Sequence, residues 1–292
     1  GQRLAYETRP KGTPETVLDQ YESAGKMMKR EALKPSTPDA KEWKFYWTGQ
    51  LEDRLKSLYG EEEGAREFQR RMSAVGATTS GSRPSQNVRS GSFADWRASQ
   101  GMAPSVAPPY PYGHNKYGLH KQVLDSLHEG GGVFLPPGKH PKGATFAGDL
   151  TGQTPAMTFD EVMSLGAGLK TGTGTPKTAP FDGTYGDIVD VGDKVTRDLS
   201  RTKGKLPPDV QRGLLPSDVQ SKVWAELGGD PEYSVPILEH YNRRIAVTAK
   251  VTGMTPERVA ELWLAKKIPL LTATGAAVGA GALAGDGEGA EQ

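Results

Sequence analysis

The chain has 292 residues, 36 basic against 35 acidic, a formal net charge of +1, and no cysteine. Disulfides, thiol nucleophiles, iron–sulfur clusters and cysteine–zinc sites are therefore excluded, and the charge balance argues against a general electrostatic trap for nucleic acid. Only 35% of residues are hydrophobic, against 37 glycines and 22 prolines, so packed helical segments alternating with long irregular ones are expected rather than one compact enzyme domain.

Gly1 opens the chain with neither a methionine nor a signal-peptide pattern, as in a processed or tagged product or an excerpt of a longer polypeptide. Four segments then combine a capping residue, proline and an acid: Thr13-Pro14-Glu15, Thr37-Pro38-Asp39, Asp230-Pro231-Glu232 and Thr255-Pro256-Glu257. The cap accepts from an orphan amide, proline suits the first helical position, and the acid opposes the positive helix end. The spacing of Trp47, Leu51, Leu55 and Leu58 predicts a helix within 39–59 that Gly60 ends. Another starts at Glu61-Glu62-Glu63 and carries Phe68, Met72 and Val75 towards Gly76. The two are expected to form an antiparallel hairpin packed through Trp43, Trp47 and Phe68.

From Gly76 to about Tyr117 the pattern dissolves into turn-rich sequence, with only a short helix around Phe93–Ser99. Leu119, Val123 and Leu127 align over a helix that the glycines at 130–132 stop. Residues 130–186 read as irregular apart from a short helix at Thr158–Leu165, where Thr158 and Glu161 have the capping-box form. Ile188, Val191, Val195 and Leu199 predict a helix over 187–200. Further helices are expected over 217–227, over 231–252 with an interruption at Pro236, and from Pro256 to about Lys267.

The most distinctive spacing lies in 241–267, YNRRIAVTAKVTGMTPERVAELWLAKK. Ala249 is small enough for a second helix to approach, Gly253 tolerates a left-handed turn, and Val259 reaches a shared core, as a helix-turn-helix requires. A groove-reading role would use Arg258, Lys266 and Lys267 on phosphate, yet Glu257 and Glu261 lie near the reading end and oppose it. Two basic stretches, one with six arginines against two acids over 66–97 and one over 194–212 that includes Arg201 and Lys203, are further candidates for phosphate contact. Solvated helix faces explain them equally well. Trp47, Trp224, Trp263 and Gly253 are expected to act as packing anchors.

Four of the five histidines, His114, His120, His128 and His140, fall within 27 residues. His120 and His128 share a helical stripe but stand about 12 Å apart along the axis, too far to chelate one ion. Gly166–Gly172 lacks the Gly-Lys-Ser/Thr of a phosphate loop, and adjacent Glu239 and His240 do not face each other on a helix. No catalytic, cofactor or metal residues are singled out. The segment 268–285 carries no charge but is dominated by Gly, Ala and Thr. An extended packing tail is the preferred reading there, with membrane contact the minority one.

The segments LPSDVQSKVWAEL (215–227) and YNRRIAVTAKVTGMTPERVAELW (241–263) resemble helical modules of very large proteins of bacteriophages and mobile elements. WTGQLEDRLKSLYG (47–60) followed by AVGATTSGSRPSQNV (74–88) has a similar character, and a helical domain ending in a Gly/Ala tail resembles internal virion proteins ejected with the genome. The expectation is a mainly α, irregular helical protein with helix hairpins, long Gly/Pro-rich loops and an extended C-terminal tail. Its expected parts are an N-terminal arm (1–36), a helical hairpin (37–76), a loop-rich region (77–186), a C-terminal helical domain (187–267) and the tail (268–292). The resemblance implies a non-enzymatic assembly protein of the virion, present in host cytoplasm during assembly, whose partners are other virion proteins or copies of itself. Such arms order on assembly. A DNA-binding or DNA-processing protein using 241–267 is the alternative.

Overall fold

In a computed structural model of the chain, the described residues are 15–35, 47–102, 114–152, 157–158, 163, 185–201, 215–227, 235 and 237–271. They form ten helices and no strand, a mainly α fold. In chain order these are α1 (Glu15–Ala32), α2 (Trp47–Tyr59), α3 (Glu61–Ala77), α4 (Pro84–Ser99), α5 (His114–Glu129), α6 (Pro141–Leu150), α7 (Tyr185–Ser200), α8 (Pro216–Leu227), α9 (Ile237–Thr252) and α10 (Pro256–Leu264). Capping chemistry acts as expected at α10, where the Thr255 hydroxyl oxygen accepts from the Arg258 amide at 3.2 Å and Pro256 follows as the first helical residue.

The chain divides into two units, each built from two separate stretches: Gly1–Leu51 with Pro136–Pro236, and Glu52–Leu135 with Ile237–Gln292. The expected domain over 187–267 is therefore divided, because α7 and α8 belong to the first unit while α9 and α10 belong to the second. In the first unit α1 packs against α7 and α8, and α6 against α7. Its core includes Met27 and Met28 of α1, Phe146 and Leu150 of α6, Leu199 of α7 and Val223 of α8. Lys222 is only 1% exposed, yet its ammonium donates to the carbonyls of Ala32 (3.2 Å) and Lys34 (2.6 Å). A cation there closes the negative end of α1 and satisfies acceptors the helix cannot.

In the second unit α3 packs most extensively on α4, which also receives α9; α5 lies on α3, and α10 on α9. Three expectations are corrected here. Residues 84–99 are a full helix rather than turn-rich chain with a short helix at its end. The reason is that α4 uses small residues where a sequence reader looks for large ones. A Cβ on Gly91 would stand 2.7 Å from the Val75 Cα, so the two backbones meet at a distance only glycine allows. Pro84 as first helical residue and Gln86, whose Oε1 accepts from the Arg83 amide at 3.3 Å, start the helix.

Residues 141–150 are likewise a helix, begun by Pro141 and rich in Gly and Ala, inside a stretch expected to be irregular. Finally, α3 pairs along its length with α4, not with α2. The contact of α2 with α3 is confined to the corner, where a Cβ on Gly64 would lie 2.3 Å from the Lys56 Cα. Leu51 and Leu55 are buried as the stripe requires, Leu58 is exposed, and Phe68, Met72 and Val75 are all buried. The starts at Thr37 and Asp230, Trp43, residues 169–184 of the connector expected over 169–186, most of the helix expected at 158–165 and the tail beyond Leu271 lie outside the described residues, while the last two connector residues open α7.

Candidate functional site

The helix pair α9–α10 forms with the turn expected of it: Gly253 takes φ +72° between the helices. Ala249, Val259 and Trp263 are buried. Trp263 stacks on Tyr241 with ring centroids 5.0 Å apart, and the Arg71 guanidinium of α3 lies 4.9 Å from the Trp263 centroid. The C-terminus of α10 is held from three other segments. Tyr59 Oη and Arg71 Nη2 each donate to the Leu264 carbonyl at 2.8 Å, and Gln100 donates to the Lys266 carbonyl at 3.1 Å. After the turn, Ile268 and Leu270 are buried and the Leu271 amide donates to Thr248 Oγ1 at 2.8 Å, so the first residues of the expected tail pack on the unit.

That terminus is chemically unusual. Lys266 N donates to Trp263 O (3.0 Å) and Lys267 N to Leu262 O (2.8 Å), the two bonds of a Schellman motif. The motif needs a left-handed residue, normally glycine. Helices α4 and α5 end with the same pair of bonds and use Gly101 (φ +69°) and Gly131 (φ +83°). At the end of α10 the position is Lys266, with φ +57°, the only non-glycine in that region among the described residues. A Cβ there costs about 1–2 kcal/mol relative to right-handed backbone. The long side chain is turned inward and is 13% exposed.

The Lys266 ammonium pairs with Glu67 of α3 and lies 3.5 Å from Asp95 Oδ1 of α4. Arg70 pairs with the other oxygen of Glu67, and Arg71 Nε stands 3.9 Å from Asp95 Oδ2. The result is a chain of alternating charge, Arg70–Glu67–Lys266–Asp95–Arg71, with one positive charge in excess. Glu67 Oε2 and Asp95 Oδ1 are fully buried and face the Lys266 ammonium. Burial pushes the Lys266 amine down to about 8; Asp95 opposes that shift, while Arg71 and Arg70 add to it. Tyr241, enclosed behind the network, is pushed up to about 12 chiefly by burial.

Glu67, Asp95 and Lys266 face a cavity of about 480 Å³ inside this unit. Its apolar wall includes Ala94, Leu124 and Leu127, and exposed Ser99, His128 and Gly131 stand at its rim. Two of the three Schellman turns, those of α5 and α10, thus contribute to the same opening.

The residues proposed for phosphate contact are scattered. Lys266 is engaged in the buried network rather than presented to solvent, which contradicts its expected role. Arg258 is exposed but pairs with Glu261 (3.1 Å), while Lys267 and Arg201 are exposed. Lys203 lies outside the described residues, and so do the side chains of Trp47 and Trp224. Within the arginine stretch 66–97, the two acids are Glu67 and Asp95; Glu67 pairs with half-buried Arg70, and Asp95 lies beside buried Arg71. Sequence reading missed this cluster because Glu67, Asp95 and Lys266, up to 199 residues apart in the chain, meet only through the fold; the pattern Glu67-x-x-Arg70-Arg71 on one helix was its one local trace.

The histidines are equally dispersed. His120 is buried with Nε2 2.8 Å from the Ser80 carbonyl, His128 stands at the cavity rim, His140 precedes α6 with its imidazole pushed down by burial, and the His114 side chain is outside the described residues. Among the described residues no group of three or more His, Asp or Glu could hold a metal ion. No helix there is long and apolar enough to cross a membrane. No protein-family model, curated protein or solved structure matches the chain.

Proposed function

We propose that this chain is a non-enzymatic, helical structural protein of a bacteriophage particle, an internal component carried with the genome, which binds neighbouring subunits through its Gly/Pro-rich segments. The observation that supports an assembly role over groove reading is the use made of the α9–α10 pair. Its apolar face, with Val259 and Trp263, is buried, and Lys266 is neutralised by Glu67 and Asp95. The outer face of α10 carries Glu257 and Glu261 beside Arg258, a poor surface for phosphate. The virion setting rests on the resemblance of 47–60, 74–88, 215–227 and 241–263 to phage and mobile-element modules.

Purified particles of the element that encodes the chain are expected to contain it at a fixed copy number, read by quantitative mass spectrometry. Its absence from particles whose capsid and tail proteins are all recovered overturns the proposal. Exposed Lys267 and Arg201 keep duplex DNA as the alternative partner. That reading requires salt-dependent binding, weakened when Arg258 and Lys267 are replaced by Gln, and is discarded if no binding occurs at low salt.

A further inference from the structure

We infer that Lys266 is a carbonyl-trapping amine, which holds a small uncharged aldehyde with an apolar or aromatic body as a reversible imine in the cavity between α3, α4, α5 and the end of α10. That cavity, at about 480 Å³, lies within the roughly 300–1,000 Å³ of small-molecule sites. Its charged side chains, Glu67, Arg70, Asp95 and Lys266, sum to zero, so the wall calls for no ionic group on the ligand. Leu124, Leu127, Ala74, Ala94 and Ala98 offer an apolar surface beside the amine, suited to a hydrocarbon body. Among the described residues, Glu67 and Asp95 are the two partners of the Lys266 ammonium. One of its three N–H donors is therefore left for a carbonyl oxygen.

The same charge balance selects the reaction. Acylation of Lys266 would remove its charge and leave two buried carboxylates without their cation, which is strongly unfavourable. Condensation with an aldehyde keeps the charge on nitrogen. The ammonium first gives a proton to Glu67, the nearer carboxylate. The neutral amine then attacks the carbonyl carbon, the N–C bond forms, and a proton moves from nitrogen to oxygen. Glu67 gives its proton to that hydroxyl, the C–O bond breaks, water leaves, and the nitrogen lone pair closes the C=N bond. One ammonium and one aldehyde become one iminium and one water, and a cation again stands between Glu67 and Asp95. Burial supports the first step by holding the amine at about 8. At that pH about half of it is neutral, against less than about 1% of an ordinary exposed lysine. The left-handed turn fixes where the amine emerges, because Tyr59, Arg71 and Gln100 hold the carbonyls of Leu264 and Lys266.

The charged and titratable groups around Lys266 are Glu67, Arg70 and Arg71 from α3, Asp95 from α4, His128 from α5 and Tyr241 from α9. This site is independent of the virion assignment and stands or falls separately. The test is reductive trapping on the full chain at pH 8 with benzaldehyde and sodium cyanoborohydride, read as benzylation of each lysine by peptide fragmentation mass spectrometry. Lys267, exposed on the same turn, is the internal reference. Lys266 is expected to label at least tenfold faster than Lys267 at low aldehyde, and to saturate with aldehyde concentration while Lys267 rises linearly. The charged analogue 4-carboxybenzaldehyde is expected to label Lys266 at least tenfold more slowly than benzaldehyde does, with Lys267 labelled alike by both. Equal rates at the two lysines, a lack of saturation at Lys266, or equal labelling of Lys266 by the charged aldehyde overturns the inference. Ala98→Phe, which fills the cavity without touching the charges, is expected to slow Lys266 labelling at least tenfold while Lys267 labelling and the circular dichroism spectrum stay unchanged; undiminished Lys266 labelling in this folded variant also overturns it. Should Ala98→Phe not fold, saturation and the charged-aldehyde comparison on the native chain decide alone.

Discussion

Removing the charge of Lys266 while keeping its shape tests whether that amine is held in a desolvated site. Lys266→Met preserves a β-carbon at φ +57°, so the backbone cost is unchanged and only the ammonium is lost. In the folded chain burial brings the amine down to about 8 from 10.5. Between those values the unfolded chain binds more protons than the folded one, so stability rises with pH across that window. Integrated from pH 7 to pH 10, the native chain should gain about 2.5 kcal/mol relative to Lys266→Met, an upper figure because the side chain retains some contact with solvent. Tyr241 sets the upper limit of the experiment. Its phenol is raised to about 12, so above pH 10 the unfolded phenol ionises first and stability falls again. Urea unfolding of both proteins at pH 7, 8, 9 and 10, followed by circular dichroism, gives the difference directly. A difference that stays constant over the series would refute the desolvated-amine argument, because Glu67 and Asp95 would then be stabilising the ammonium fully against burial.

Two further substitutions probe the packing. Gly91→Ala places a methyl 2.7 Å from the backbone of Val75 and should destabilise the protein by about 1–3 kcal/mol in urea unfolding, whereas Gly49→Ala, with nothing within 4 Å of the added carbon, should stabilise α2 by about 0.5–1 kcal/mol. Lys222→Met removes the charge-assisted bonds to Ala32 and Lys34 and should cost about 1.5–3 kcal/mol for each strong bond lost, seen as a lower urea midpoint at unchanged slope.

Legibility in the sequence followed the size of the side chains. Helices α3, α5, α7 and α8 carry large apolar residues at helical spacing, and their expected spans agree with the structure to within a few residues. Helices α4 and α6 were obscured because small residues take up much of their buried faces, Ser90, Gly91, Ser92 and Ala94 in α4 and Gly143 and Ala147 in α6. Glycine, serine and threonine carry weak helical preference alone, and the close approach of Val75 to Gly91 leaves no mark in the sequence. In both cases a proline at the first helical position was visible, and at α4 a glutamine two residues later.

The charged site shows the same limit more sharply. Lys266 and Lys267 read alike in the sequence, as a basic pair closing a helix. Only the left-handed turn separates them, sending Lys266 inward to Glu67 and Asp95 while Lys267 remains exposed.

By itself the sequence determined the mainly α class, the starts of α1, α3, α7, α8 and α10 to within two residues, the Gly253 turn and the exclusion of thiol chemistry. These depend on capping, periodicity and composition, which act over a few neighbouring residues. Tertiary structure decided that α7 and α8 separate from α9 and α10, that α4 is the partner of α3, and that Glu67, Arg70, Asp95 and Lys266 gather at one cavity. Those outcomes depend on contacts between residues as distant as Glu67 and Lys266, and no local preference encodes which surfaces will meet.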